Sequence, residues 1–193
     1  MCAVSIAALV GPGCSGGDAT DSRQTRGQDT PRLVIDTSIG AVRLNMTRTE
    51  VEERYGEPSR VNVLPDYFPV GTRYEGKKLT RALYSVHAGA LRVDYVAERV
   101  KVIETSSRYY RSASGVGVAA LVPSDRCVRL DEVGYIGPPG CKNTWRGFHF
   151  EGECLDAWLT STRDTAMTML IMHRGRRIER VRIGDPDVIL PCF

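Results

Sequence analysis

The stretch Thr47-Arg-Thr-Glu-Val-Glu-Glu-Arg-Tyr-Gly-Glu-Pro58 constrains the fold most, because both of its ends are marked. Thr47 followed three residues later by Glu50 is a capping box, in which each side chain satisfies the other's backbone N–H. Met46 before the cap and Val51 at the fourth helical position suit a hydrophobic staple. Gly56 fits the left-handed position that ends a helix, and Pro58 prevents continuation. A short helix from about Arg48 to Tyr55 is expected. Before it, Leu33-Val34-Ile35 and Val42-Arg43-Leu44 read as extended pieces. After Pro58 the pattern turns to strands. Leu91, Val93 and Tyr95 alternate with Arg92, Asp94 and Val96, and Arg99-Val-Lys-Val-Ile-Glu104 follows after a brief turn. This predicts an antiparallel hairpin with one face toward a core.

The second half echoes the first. Gly115-Val-Gly-Val118 lies 75 residues after Gly40-Ala-Val-Arg43, and the segment starting at Met169 lies 78 residues after the one starting at Leu91. Two landmarks at nearly one offset suggest an internal duplication. The second copy has no clear capping box; Pro123 and Ser124 stand where the first has its helix start. The expected units are residues 32–108 and 109–193.

Residues 1–17 carry no charged side chain, and Ala3-Val-Ser-Ile-Ala-Ala-Leu-Val10 leads into Gly11-Pro-Gly-Cys14. A short apolar run ending in small residues reads as an export signal. Its closing Gly-Cys resembles a bacterial lipoprotein signal, which implies lipidation at Cys14. Residues 15–31 are polar and read as a flexible tether, so 1–31 lies outside the fold. Cysteine usage agrees with export. Beyond Cys2 and Cys14, the chain has Cys127, Cys141, Cys154 and Cys192, most simply two disulfides with three possible connectivities. A zinc site would recruit His149, but no C-x-x-C knuckle exists, and neither a metal nor another cofactor is expected. The 26 basic residues face 23 acidic ones, too even a balance to argue for nucleic acid. The longest apolar run falls far short of the roughly 20 residues that span a bilayer.

Leu44-Asn-Met-Thr-Arg-Thr-Glu-Val51, closed by Gly56-Glu-Pro58, resembles the signature of SmpA/OmlA-type envelope lipoproteins. It is equally similar to β-lactamase inhibitor proteins, which are tandem repeats of a helix-plus-antiparallel-sheet unit. Asn45 replaces the usual Gly, and Asn is the residue best able to do so where φ is positive. The resemblance implies an α+β fold of two related units, each with short helices packed on an antiparallel sheet. It also implies a disulfide between Cys127 and Cys141, which leaves Cys154 for Cys192. For function it implies a non-enzymatic envelope protein that binds or assembles with another protein; the alternative is a secreted inhibitor of a hydrolase of β-lactamase or peptidase type.

Common catalytic signatures are absent, which ranks a small enzyme with no recognisable motif third, behind the binding module and the inhibitor. His87, His149 and His173 are scattered, and a Cys154–His149 nucleophile pair would lose its thiol to a disulfide. Glu50, Glu52 and Glu53 look like paired carboxylates, but Glu50 already has a capping task. The stretch Arg174-Gly-Arg-Arg-Ile-Glu-Arg-Val-Arg182 holds five arginines in nine residues. Its plainest reading is a hairpin turn and an edge strand guarded by charge, and its functional reading is a contact for an acidic partner or anionic lipid. Aromatic residues cluster at Tyr67-Phe68 and at Trp145, Phe148 and Phe150. The candidate partner contacts are Tyr67, Trp145, Arg174, Arg176 and Arg177.

Overall fold

The computed structural model describes residues 32–122, 128–130, 134–136, 145–150, 155–160, 166–173 and 177–189. The first strands are β1 (Leu33–Val34), β2 (Ser38–Ile39) and β3 (Val42–Arg43), followed by helix α1 (Arg48–Tyr55). A meander follows: β4 (Arg60–Leu64), β5 (Leu79–Val86), β6 (Gly89–Val96) and β7 (Arg99–Thr105). A small pair comes next, β8 (Val128–Leu130) and β9 (Gly134–Ile136). A second meander follows: β10 (Trp145–Phe150), β11 (Leu155–Thr160), β12 (Met167–His173) and β13 (Ile178–Gly184).

The helix forms as its ends dictate. Thr47 accepts from the Glu50 backbone N–H, and Glu50 Oε2 accepts from the Thr47 backbone N–H at 2.7 Å, which completes the capping box. Gly56 follows at φ 76°. Asn45 sits at φ 67°, where its side-chain oxygen accepts from Lys101 Nζ at 2.7 Å. Val51 is the helix's one buried residue. The β6–β7 hairpin also forms, around the two-residue turn Ala97–Glu98 with both residues at positive φ. That geometry matches the right-handed twist of the flanking strands.

The expected α+β architecture of two helix-plus-sheet units is not what the chain builds. Both meanders belong to one eight-stranded antiparallel sheet, in the order β10-β11-β12-β13-β7-β6-β5-β4. Its centre is the antiparallel pair β7–β13, with Thr105 opposite Val181 and Val102 opposite Gly184. Two physical reasons explain the difference. The last strand of each meander would otherwise be an open edge with unpaired backbone groups, and pairing the two removes both edges. The one helix among the described residues, eight residues long with one of them buried, is also too small to form a layer over eight strands. The reading of the Arg174–Arg182 stretch as an edge strand is corrected at the same point: β13 is central, bonded to β12 and β7.

Both faces of the sheet carry apolar clusters. On one, Leu91, Val93, Ile103, Leu170, Val181 and Ile183 pack with Leu33, Ile39 and Val42 of the small β1–β2–β3 sheet, with Val51 and with Tyr110. On the other, Leu79, Val96, Val102, Met169 and Ile171 pack with Phe68, Tyr74, Val188 and Ile189. Gly184 is required where β13 meets β7, because a Cβ there would lie 2.6 Å from the Lys101 carbonyl oxygen.

Candidate functional site

Period-two alternation puts Arg92 and Asp94 on the face opposite Leu91 and Val93. Register then aligns their partners. Arg81 of β5 lies opposite Asp94, Arg92 opposite Glu104 of β7, and Glu104 opposite Arg182 of β13. The result is a band of charge across four adjacent strands, next to the second apolar cluster.

Its hydrogen bonds run from strand to strand. Arg81 grips Asp94 with both arms, Nε to Oδ1 at 2.9 Å and Nη2 to Oδ2 at 3.0 Å. Arg92 Nη1 reaches Glu104 Oε1 at 3.1 Å, and Arg182 places Nε and Nη2 both 2.6 Å from Glu104 Oε2. Arg180, the most open member, holds Nη1 3.7 Å from Glu104 Oε1. Exposure grades along the band: the Asp94 and Glu104 side chains are 2% and 8% exposed, Arg182 9%, Arg92 18% and Arg180 36%. Burial alone would raise the Glu104 pKa, but the charges of Arg182, Arg92 and Arg180 outweigh it and hold the carboxyl below its usual range. Arg92 is shifted down, chiefly by burial, and its Nε finds no hydrogen-bond acceptor. Four guanidinium groups of the described residues, those of Arg81, Arg92, Arg180 and Arg182, gather here around the Asp94 and Glu104 carboxylates.

Tyr67 flanks this band. Its ring packs edge-on to Phe68 at 5.2 Å between centroids, and the Arg81 guanidinium carbon lies 6.0 Å from its ring centre. Beside it, the 65–78 loop is tied to the C-terminal turn. Tyr74 donates its hydroxyl proton to Asp185 at 2.5 Å, and Arg73 bonds Asp185 and also Asp187 at 2.8 Å. Burial and the bond to Asp185 push the Tyr74 hydroxyl up to about 12.

The other sequence candidates scatter. Arg177 is exposed and donates to the Ala119 carbonyl at 3.0 Å, away from the band. Trp145 opens β10 at the far edge of the sheet, opposite Thr160. Arg174, Arg176, Cys14, Cys127, Cys141, Cys154 and Cys192 lie outside the described residues. Glu50 is engaged in the cap, and Glu52 bonds Arg48 at 2.6 Å. The site residues that single-residue motifs missed are Arg81, Arg92, Asp94 and Glu104. Their signal was the charged half of the alternation in β5, β6 and β7. Arg180 and Arg182 did belong to the arginine-rich stretch, but its flanking arginines had drawn the attention.

No group of three or more potential metal-ligating residues occurs among the described residues, and no helix among them is long and apolar enough to cross a membrane. No protein-family model matches the chain, and no curated protein matches it. Among solved structures it is similar to a cysteine-rich secretory protein from Staphylococcus aureus, at 10% identity and TM-score 0.45, over 76% of this chain and 46% of that one. An extracellular protein containing an SCP domain from Bacillus anthracis is similar at 15% identity and TM-score 0.45, over 76% of this chain and 45% of that one. A DUF4309 family protein from Bacillus subtilis follows at 12% identity and TM-score 0.39, over 75% of this chain and 82% of that one. The chain spans less than half the length of the first two. None of the three is described as an SmpA/OmlA-type lipoprotein or a β-lactamase inhibitor protein, and likenesses this distant carry no argument about function.

Proposed function

We propose that the chain is an exported, non-catalytic binding module of the cell envelope, anchored through Cys14, that docks an acidic protein surface on the arginine band of its sheet. The observation that carries the docking surface is the run of four guanidinium groups across β5, β6, β7 and β13, with Arg81 and Arg180 at 29% and 36% exposure the most open to a partner. A band held this way is preorganised, since the two carboxylates fix the arginines before any partner arrives. Little rotamer freedom is then lost on binding. Tyr67 at one end supplies an amphipathic anchor of the kind enriched in interface centres. The apolar leader and Gly13-Cys14 support export and anchoring.

The test is site-specific photo-crosslinking in cells, with the crosslinker placed at Asn62, exposed and opposite Arg81 at the border of the band, or at Thr49 on the outer face of the helix. A single adduct from position 62 alone, to a protein with an acidic surface, supports the reading. Equal adducts from both positions, or none from 62, overturn it. If the captured partner is a hydrolase that loses activity in the complex, the module is an inhibitor rather than an assembly part.

A further inference from the structure

Arg92 and Arg180 approach the same oxygen, Glu104 Oε1, from two strands that flank β7. Arg182 reaches the other oxygen of that carboxylate with Nε and Nη2, each at 2.6 Å. One carboxylate therefore serves three guanidinium groups. The three are not equally engaged. Arg180 stands off at 3.7 Å and is the most solvent-accessible of them, while Arg92 uses Nη1 at 3.1 Å. Because both Nη1 atoms lie within 3.7 Å of one oxygen, their separation is within the span of a second carboxylate that accepts one N–H on each of its oxygens at about 2.8 Å.

We infer that Arg180 and Arg92, backed by Arg182 and Glu104, form a seat for a single carboxylate, presented by an acidic side chain of the partner. The inference rests on the docking surface proposed above and names its chemistry. Glu104 is the internal counter-ion. It keeps the three arginines together when the seat is empty. Arg180 is the entry residue, since it is the most open of the three and its contact with Glu104 is the longest in the group. Arg92 is the fixed wall, held by Glu104 and by Asp94, whose Oδ1 lies 3.5 Å from its Nε. The second apolar cluster borders the seat through Met169, which lies opposite Arg182, and Ile171, which lies opposite Arg180. That apolar border lowers the local dielectric and strengthens a charge-assisted hydrogen bond.

The experiment is titration of the folded chain with glutarate, a stand-in for a glutamate side chain, followed by NMR at the arginine Nε–Hε resonances. The expected result is saturable shifts at Arg92 and Arg180, with at least tenfold weaker binding in Arg180→Gln and no loss in Arg177→Gln, an exposed arginine away from the band. Arg180→Lys should recover only part of the loss, because an ammonium cannot share a carboxylate as a planar fork does. Equal losses in Arg177→Gln and Arg180→Gln would reduce the seat to diffuse surface charge and overturn it. So would unsaturable shifts, or tighter binding of inorganic phosphate than of glutarate. Failure here is separable from failure of the functional reading: a partner that crosslinks at position 62 while glutarate leaves Arg92 unmoved retains the docking surface and removes the seat. Saturable glutarate binding without a partner crosslink does the reverse.

Discussion

Replacing Glu104 by Gln is the perturbation that the charged band makes most specific. The carboxylate is 8% exposed and answers three guanidinium groups, of which Arg182 and Arg92 are themselves 9% and 18% exposed. Gln keeps the volume and one acceptor oxygen but removes the charge, which takes from two largely buried cations the carboxylate they share. Breaking a buried pair from one side costs about 3–5 kcal/mol, because the remaining charge stays desolvated. For a chain of this size 1 kcal/mol corresponds to roughly 2–4 °C in Tm, so the variant should melt about 6–20 °C lower. The pH dependence supplies a second reading. The folded-state pKa of Glu104 is depressed. Its contribution is therefore fully present above the ordinary carboxylate pKa and is lost as pH falls through the lower folded value. The gap in Tm between wild type and Glu104→Gln should be widest near neutral pH and close in acid. Calorimetry at a series of pH values measures both. A Tm within 2 °C of wild type at neutral pH would show that solvent screens the band, and a gap independent of pH would show that charge is not what Glu104 contributes.

The remaining expectations follow from single contacts. Thr47→Ala removes the oxygen that accepts from the Glu50 N–H and should cost about 1 kcal/mol by denaturant titration, with less than additive loss on adding Glu50→Ala, because the two side chains serve one box. Gly184→Ala forces a methyl group against the Lys101 carbonyl at the β7–β13 junction and should lower Tm by several degrees, whereas Gly56→Ala, with open space around its Cβ, should act only through its positive φ. Cys14→Ser should abolish incorporation of a fatty-acid analogue, and a retained label would remove the anchor. Non-reducing peptide mapping should yield Cys127–Cys141 and Cys154–Cys192 peptides, and a Cys127–Cys154 peptide would refute that pairing.

What the sequence showed and what it hid divide by range. The helix was legible because its information is local: a cap at Thr47, its reciprocal at Glu50, a stop at Gly56. Asn45 was legible for the same reason, as a residue tolerant of positive φ standing where a turn was needed. The β6–β7 hairpin was legible from alternation and a two-residue gap. The joining of two meanders was not, because nothing near Val181 announces that its partner is Thr105. Once that pairing is missed, β13 reads as an exposed edge and its arginines as guards. Arg182 is 78 residues from Glu104, and only the long-range register turns a basic stretch into a paired band. Two helix-plus-sheet units were expected because the second half echoes the first in its strands; the helix has no counterpart among the described residues of that half.

The most direct test of the account is the dissociation constant of the crosslinked partner, measured with purified proteins across a range of salt for wild type, Arg180→Gln and Arg177→Gln. Opposed charges across an interface weaken with screening. The account predicts that Arg180→Gln binds at least tenfold more weakly at low salt, with a shallower salt dependence, while Arg177→Gln matches wild type. Equal affinity and equal salt dependence in all three would contradict it.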